Sequence, residues 1–301
     1  MSERDLIARI RELFPRAGDD AAVIGTQVIT NDVLVENVDF TRDTPPRLVA
    51  RKSLVVNLSD IAAMGGRPRY AIVAIGSPDE ALATTLIEEL ALAAREDDVE
   101  IVGGDLSRSE RVFVSITMIG EAAQPILRSG ARPGDRVYLS RPIGGSAAGL
   151  AFLQRGTEAA DYAEREFIES AKRRHLEPEA EVALGMKLVG IATSCIDVSD
   201  GLSTDLHHLC DASDAGAAIE IERIPVFPDL PRYGPRLGIN VREAVMRGGE
   251  EYALLFTSSL RESELSGRTG RPVYAIGRIT KERGVRINGE ILEPGGFDHF
   301  A

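Results

Sequence analysis

The sequence predicts a mixed fold, α+β and α/β in style, built as two αβ domains, and three observations carry that prediction. A length of 301 residues with 44% hydrophobic content is enough chain for two ordinary cores. Apolar stretches of helical and of strand period are interleaved in both halves. A turn-rich segment from Arg128 to Asp135, RSGARPGD, separates the halves. The boundary falls there, giving domains 1–133 and 134–301.

In order along the chain, residues 3–14 form a charged amphipathic helix, and a loop from Asp19 feeds an extended strand through VITNDVLVENVDF, ending at Phe40. Arg47 to Met64 repeats apolar residues at helical spacing and stops at Gly65-Gly66 with Pro68 just beyond. YAIVAIGS is a strand, 79–97 a helix, EIVGGD a short strand and VFVSITMIGEA another. Past the boundary, RVYLS is a strand, a Gly-rich turn spans 143–149, and helices follow near 147–155, 161–173 and 179–190. TSCIDVSDGLSTDLHHLC is a strand emptying into a helix, and later strands lie around 217–223, 251–257, 273–279 and 285–292. No sequence repeat or low-complexity tract interrupts this order.

Charge narrows the function. With 47 acidic against 35 basic residues the formal net charge is -12, the wrong sign for neutralising a nucleic-acid backbone, so nucleic acid is not an expected partner. No run of about eighteen apolar residues crosses a membrane, and MSERDLIARIRELF has no signal-peptide core, which leads us to expect a cytoplasmic protein. Two irregularly spaced cysteines, Cys195 and Cys210, make neither a disulfide framework nor a zinc knuckle. An acidic protein can still bind polyphosphates when divalent cations bridge its carboxylates to phosphate oxygens.

Five groups could carry such chemistry. Gly18-Asp19-Asp20 with Asn31, Asp32, Glu36 and Asp39 collects oxygen ligands in a loop and strand, although a solvated turn reads the same way. Asn57 and Asp60 lie three apart on one face of an apolar helix, where a carboxylate is costly unless it binds a metal or is partnered, for example by Lys52 or a backbone amide. Gly103-Gly104-Asp105 is a strand end where backbone could approach phosphates, or simply a turn. Asp197-Val198-Ser199-Asp200-Gly201 puts a strand end against a helix N-terminus. That position suits phosphate and a cation, or merely a capping Ser199 or Asp200. Gly248-Gly249-Glu250-Glu251-Tyr252 places acids between a glycine turn and a strand.

Several common machineries are missing. There is no G-x-x-x-x-G-K-[ST] loop, no strand followed by G-x-G-x-x-G, no H-R-D or D-F-G set, no H-E-x-x-H and no G-x-S-x-G elbow. The four histidines read as surface residues.

Taken in order, GDDAAV, the ND-x-L-V-E strand, K-x-x-x-x-N-x-SDIAAMGG-x-P, GGD, RSGARPGD, DVSDGLSTDL and GGEEYALLFT resemble the thiamine-monophosphate kinase family of the aminoimidazole-ribonucleotide synthetase superfamily, from about residue 16 to Phe300. The resemblance implies two αβ domains of that superfamily's type, with the N-terminal one dimerising through its β-sheet and the C-terminal one completing the ATP and substrate cleft. It implies transfer of the ATP γ-phosphoryl group to thiamine monophosphate with several Mg2+ ions bound by aspartates. Carried over residue by residue, Asp19, Thr30, Asn31, Asp32, Asp60, Asp105, Asp197 and Asp200 fall on metal-binding positions. Gly104, Asp105, Arg128 and Ser199 fall on ATP-binding positions, and Asp39, Glu250, Glu251 and Phe297 at or beside positions that handle the thiamine substrate. No residue is assigned as nucleophile or base. The chain departs from the family's pattern at Asp39, where histidine is usual, and at Asp97-Asp98, where Tyr-Gly is usual. The alternatives are another ATP-dependent enzyme of the superfamily, or a catalytically silent nucleotide-binding protein. The sister enzymes' expected N-terminal catalytic Cys or C-terminal Cys does not occur in MSERDL or GGFDHFA.

Overall fold

A computed structural model of the chain describes residues 6, 9–10, 12–14 and 16–297. The expected first helix is described at Leu6, Arg9, Ile10, Glu12 and Leu13, which are helical, and the closing Asp298 to Phe300 lie outside the described residues. The chain divides into two compact units. One holds Asp20–Pro125 together with Glu179–Met186; the other holds Met1–Asp19, Ile126–Pro178 and Lys187–Ala301. Where the sequence suggested one boundary inside 128–135, the chain passes between units at Pro125–Ile126 and later returns for a short segment. Gly185 explains the return: a Cβ there would sit 2.0 Å from the Ala62 carbonyl oxygen, so only glycine lets this segment lie against the end of the long helix.

The smaller unit is a five-stranded sheet backed by helices. Its strands are β1 (Ala22–Ile24), β2 (Gln27–Val35), β3 (Arg67–Ser77), β4 (Glu100–Arg108) and β5 (Phe113–Glu121), in the order β1-β2-β5-β3-β4. All pairings are antiparallel except β3 with β4. A parallel pair needs a crossover, and α2 (Glu80–Glu96), capped by Asp79 on the Leu82 N–H, provides it. Helix α1 (Pro46–Ala63) packs on β2, β5 and α2 and is buried almost all round, with Leu54, Leu58 and Ile61 at 0–1% exposure. Each such side chain contributes about 1.5–3 kcal/mol by leaving water, so this helix anchors the unit.

Two strands differ from expectation. The strand through VITNDVLVENVDF stops at Val35 instead of running to Phe40. Asn37 takes a left-handed φ of 65°, and the Asp39 carboxylate accepts the Val35 N–H at 2.7 Å, folding the tail into a turn. The GGD motif, expected at a strand end, lies inside β4, which continues to Arg108. A Cβ on Gly104 would stand 1.9 Å from the Val73 carbonyl oxygen, so this glycine permits the close β3–β4 approach.

The larger unit carries a seven-stranded sheet, β12-β11-β8-β10-β6-β9-β7, from β6 (Arg136–Leu139), β7 (Ser194–Asp197), β8 (Gly216–Ile219), β9 (Leu254–Ser258), β10 (Tyr274–Thr280), β11 (Gly284–Ile287) and β12 (Glu290–Ile291). The expected strand over 285–292 is a hairpin, because Asn288 and Gly289 both take positive φ, the pair a tight two-residue turn requires. Helices α3 (Gly145–Arg155), α4 (Tyr162–Leu176) and α6 (Leu202–Ala212) follow the sequence reading, as does α5 (Val182–Leu188), most of which belongs to the smaller unit. The short helices α7 (Leu230–Tyr233), α8 (Val241–Arg247) and α9 (Glu262–Thr269) were not foreseen. Val137, Ile196, Leu202, Leu206 and Leu255 lie in the core that joins α6 to the sheet.

Candidate functional site

In the smaller unit, the alternation of β2 sorts its polar residues. Thr30 and Asp32 share one face, and α1 answers them. Thr30 Oγ1 donates to Asp60 Oδ2 at 2.5 Å, and the Asn57 carboxamide oxygen accepts the Asp32 N–H at 3.1 Å. Asn57 is fully buried and also donates to the Ser53 carbonyl oxygen at 3.0 Å, so helix and strand are locked in one register. Asp20 is 7% exposed, and its carboxylate and that of Asp60 approach within 4.8 Å. Asn31 points to the opposite face and donates to Ser115 Oγ and Thr117 Oγ1 of β5 at 3.1 and 2.9 Å. Lys52, one conceivable partner of Asp60, donates to the Asp39 carbonyl oxygen at 3.3 Å.

Of the doublet Asp19-Asp20, the sequence reading chose Asp19. Its Oδ1 accepts the Arg128 N–H at 2.9 Å, fixing the backbone of the residue expected at the nucleotide. Asp20 is the member beside Asp60. Adjacent identical residues offered no periodicity by which to choose. Gly104 and Asp105 lie on exposed β4, at a groove of about 460 Å³ also lined by Val73, Ile75, Ile101 and Leu106. The unusual Asp97-Asp98 pair is taken up by cations of the same unit: Asp97 pairs with Arg51, and Asp98 with Arg67 at 3.1 Å.

In the larger unit, β7 ends at buried Asp197, and the chain turns through Ser199 and Asp200 into α6. Neither Ser199 nor Asp200 caps the helix. The cap is Gly201, at φ 123°, and the buried Asp205 carboxylate reaches back to its N–H at 3.0 Å. Burial, with Asp200 and Asp197 close by, holds the Asp205 carboxyl well above the usual carboxylate range, against the pull of the Gly201 N–H and Arg128. Asp205 was not among the expected site residues. Its signal was an acid within the apolar stripe of α6.

Two glycine pairs bring distant segments onto this loop. The Glu250 N–H donates to the Ser199 carbonyl oxygen at 2.7 Å, and the Phe297 N–H to that of Asp200 at 3.1 Å. A Cβ on Gly249 would lie 2.6 Å from Ser199 O, and one on Gly296 2.3 Å from Asp200 O. The glycines of GGEEY and GGF therefore exist for backbone contact, and they gather Ser199, Asp200, Glu250 and Phe297 in one place. Phe297 remains 52% exposed.

The two acids of GGEEY have different surroundings. Glu251 is 0% exposed; its Oε1 accepts the Gly144 and Ser146 N–H groups at 2.7 and 2.9 Å, and Arg174 approaches Oε2 at 3.4 Å. Burial raises its pKa, opposed by Arg174 and the two backbone donors. The Glu250 side chain is 28% exposed, with Oε2 3.1 Å from His175 Nδ1. Asp39, whose carboxylate holds Val35, belongs to the other unit's turn.

The donor set is all oxygen: Asp20, Asp60 and the Thr30 hydroxyl in one unit, Asp197 and Asp200 in the other. Hard divalent cations, Mg2+ above all, take carboxylates together with phosphate oxygens and water, and these residues fit that preference. Among the described residues, no helix is long and apolar enough to cross a membrane.

Two family models match the chain: AIR synthase related protein, N-terminal domain, over residues 18–122, and AIR synthase related protein, C-terminal domain, over 132–290. The thiamine-monophosphate kinase of Aquifex aeolicus (strain VF5) is 34% identical over 94% of this chain and 92% of its own length. That of Escherichia coli (strain K12) is 35% identical over 94% and 91%. That of Halobacterium salinarum (strain ATCC 700922 / JCM 11081 / NRC-1) is 34% identical over 99% and 100%. A solved structure of AaThiL complexed with AMPPCP and TMP aligns with a TM-score of 0.89 at 32% identity, covering 99% of this chain and 97% of that one. Hydrogenase maturation protein HypE in complex with ATP aligns at 0.68 and 20% identity, a likeness of fold alone.

Proposed function

The chain belongs to the thiamine-monophosphate kinase family of AIR synthase related proteins, and from that premise we propose that it phosphorylates thiamine monophosphate to thiamine diphosphate with ATP, by direct in-line transfer assisted by several Mg2+ ions. The observation that carries this reading is the convergence of GGEEY and GGF on the Ser199–Asp200 backbone, which builds one polar site from segments far apart in sequence.

In the reaction an acceptor phosphate oxygen bonds to the γ-phosphorus, the bond from that phosphorus to the β,γ-bridging oxygen breaks, and ADP leaves with the electron pair. A phosphate monoester has its second pKa near 6 and is mostly dianionic at neutral pH, so no side chain need remove a proton. No nucleophile or base is therefore assigned. What must be overcome is repulsion between two polyanions, and positioning with charge stabilisation is what proteins supply to phosphoryl transfer. Magnesium, when bound, neutralises and orients the phosphates. We assign its retention to Asp20, Thr30, Asp32 and Asp60 of the smaller unit and to Asp197 and Asp200 of the larger, with Asp19, Asn31 and Asp105 as further positions the family pattern adds. The nucleotide is assigned to Gly104, Asp105, Arg128 and Ser199. The acceptor is assigned to Glu250 and Phe297, with Glu251 behind Glu250 and Asp39 on the other unit. Residues of both units are thus assigned roles.

We assign the working form as a homodimer joined through the smaller unit's sheet. Strand β4 is exposed along its whole length at the sheet edge and carries Ile101, Val102 and Leu106 at 36–60% exposure, while Ile72 on the adjacent β3 and Val33 on β2 are 45% and 50% exposed. An apolar, unpaired edge is a liability that a second copy relieves. The ATP-dependent reading and the buried Cys195 and Cys210 agree with a cytoplasmic setting.

The test is an acceptor panel. Purified protein with ATP and Mg2+ is offered thiamine monophosphate, an aminoimidazole-ribonucleotide precursor and selenide in parallel. Thiamine diphosphate with an equal amount of ADP, and no product from the other acceptors, supports the assignment; turnover of another acceptor moves the chain to a sister activity, and none at all to a silent nucleotide binder.

A further inference from the structure

Arg174 and His175, consecutive residues in the last turn of α4, hold the consecutive acids Glu251 and Glu250. Arg174 engages both the Glu251 carboxylate and its carbonyl oxygen, and the same carboxylate accepts the first N–H groups of α3. His175 is 5% exposed, and its Nδ1 stands 3.1 Å from both Ser146 Oγ and Glu250 Oε2. A carboxylate oxygen only accepts, so this geometry is served when Nδ1 carries hydrogen. Glu250 and Tyr252 both take left-handed φ, 58° and 47°, a conformation that strains a non-glycine residue. The segment is thus held in a strained turn by a buried frame, as happens where geometry serves a site.

We propose that His175 is a positioning residue for the acceptor substrate: it fixes the Glu250 carboxylate so that it meets the end of the acceptor remote from the phosphate, while Arg174 and Glu251 form the rigid post behind it. A carboxylate repels a phosphate, so the group it can take is cationic or bears N–H donors, and beyond its phosphate thiamine monophosphate carries a thiazolium cation and then, at its far end, an aminopyrimidine with N–H donors. The inference rests on the kinase reading for the identity of the acceptor, but not for the contact itself.

The experiment compares His175→Ala, His175→Asn and the unaltered protein. Asparagine places an amide donor where Nδ1 stands. KM for thiamine monophosphate should rise about fivefold to tenfold in His175→Ala, the effect of one lost orienting hydrogen bond, and return most of the way in His175→Asn, with KM for ATP unchanged in both. Equal rises in both KM values, or no rise, would overturn the proposal. NMR titration of the His175 ring in the unaltered protein and in Glu250→Gln gives a readout free of activity and of His175→Ala folding: the ring pKa should fall when the carboxylate is removed. If it does not move, the contact is absent and the proposal fails; if it falls while thiamine monophosphate is not turned over, the positioning geometry stands and the kinase reading is what failed.

Discussion

The amide of Glu250 donates to the carbonyl oxygen of Ser199 at 2.7 Å, across a gap that the missing side chain of Gly249 keeps open. Phe297 makes the matching bond to Asp200 beside Gly296. Adding one methyl group at either glycine forces its segment off the loop. Gly249→Ala and Gly296→Ala should each lower kcat/KM at least tenfold, by misplacing Glu250 or Phe297, and cost roughly 1–3 kcal/mol of stability. Steady-state kinetics and thermal melting check this, and near-normal values in both would show that the close approach is not needed.

Asp60 and Asp197 are assigned as cation holders, Asp60 with a Thr30 bond and Asp197 at the buried end of β7. Asparagine keeps the shape and removes the charge. Asp60→Asn and Asp197→Asn should melt like the unaltered protein yet lose about 10²- to 10³-fold in rate, the typical loss of one preorganised charge contact. Substantial activity in either would remove that residue from the site.

Asp205 gives a pH dependence with a defined sign. Its folded pKa lies well above the ordinary 3.8, so the folded state binds its proton more tightly than the unfolded state. The resulting stability is fully present below pH 3.8 and is lost as pH rises through the raised folded pKa. Asp205→Asn keeps an acceptor for the Gly201 N–H and removes that titration. Without divalent cations, the variant should gain stability relative to the unaltered protein as pH climbs from 4 towards 8, and added Mg2+ should narrow the difference. Differential scanning calorimetry across that range tests it, and a gap that shrinks with rising pH would refute the assignment.

The exposed edge strand makes the dimer testable. Val102→Lys and Leu106→Lys put charge on β4 where a second copy would sit, and no core contact is lost. Sedimentation should then shift from dimer to monomer with the melting profile of each unit kept. A monomer from the outset, or a dimer untouched by both changes, would place the interface elsewhere.

Much of the fold was legible because its signals are local. Helix α1 was expected over Arg47–Met64 and occurs over Pro46–Ala63, since an apolar run closed by Gly-Gly-x-Pro needs no tertiary information. Strand β2 was over-read because its end is set by the Asp39 carboxylate on Val35, a bond that alternation cannot reveal. Helix α8 did carry a readable start, Asn240 capping the Glu243 N–H, but only about two turns of helix followed it. For the site, the motifs pointed to the right segments, while the choice within them required coordinates. Asp20 rather than Asp19 approaches Asp60, Glu251 is enclosed where Glu250 is partly exposed, Asp205 was legible only as an acid within the apolar stripe of α6, and His175 was hidden by partners distant in sequence.

The measurement that bears most directly on the account is a rapid-quench experiment with γ-32P-ATP, Mg2+ and thiamine monophosphate. Label should pass into thiamine diphosphate in one-to-one proportion with ADP, stop when a chelator is added, and never reside on acid-quenched protein. Absence of labelled thiamine diphosphate, or label held on the protein before it reaches the acceptor, would contradict direct transfer by this site.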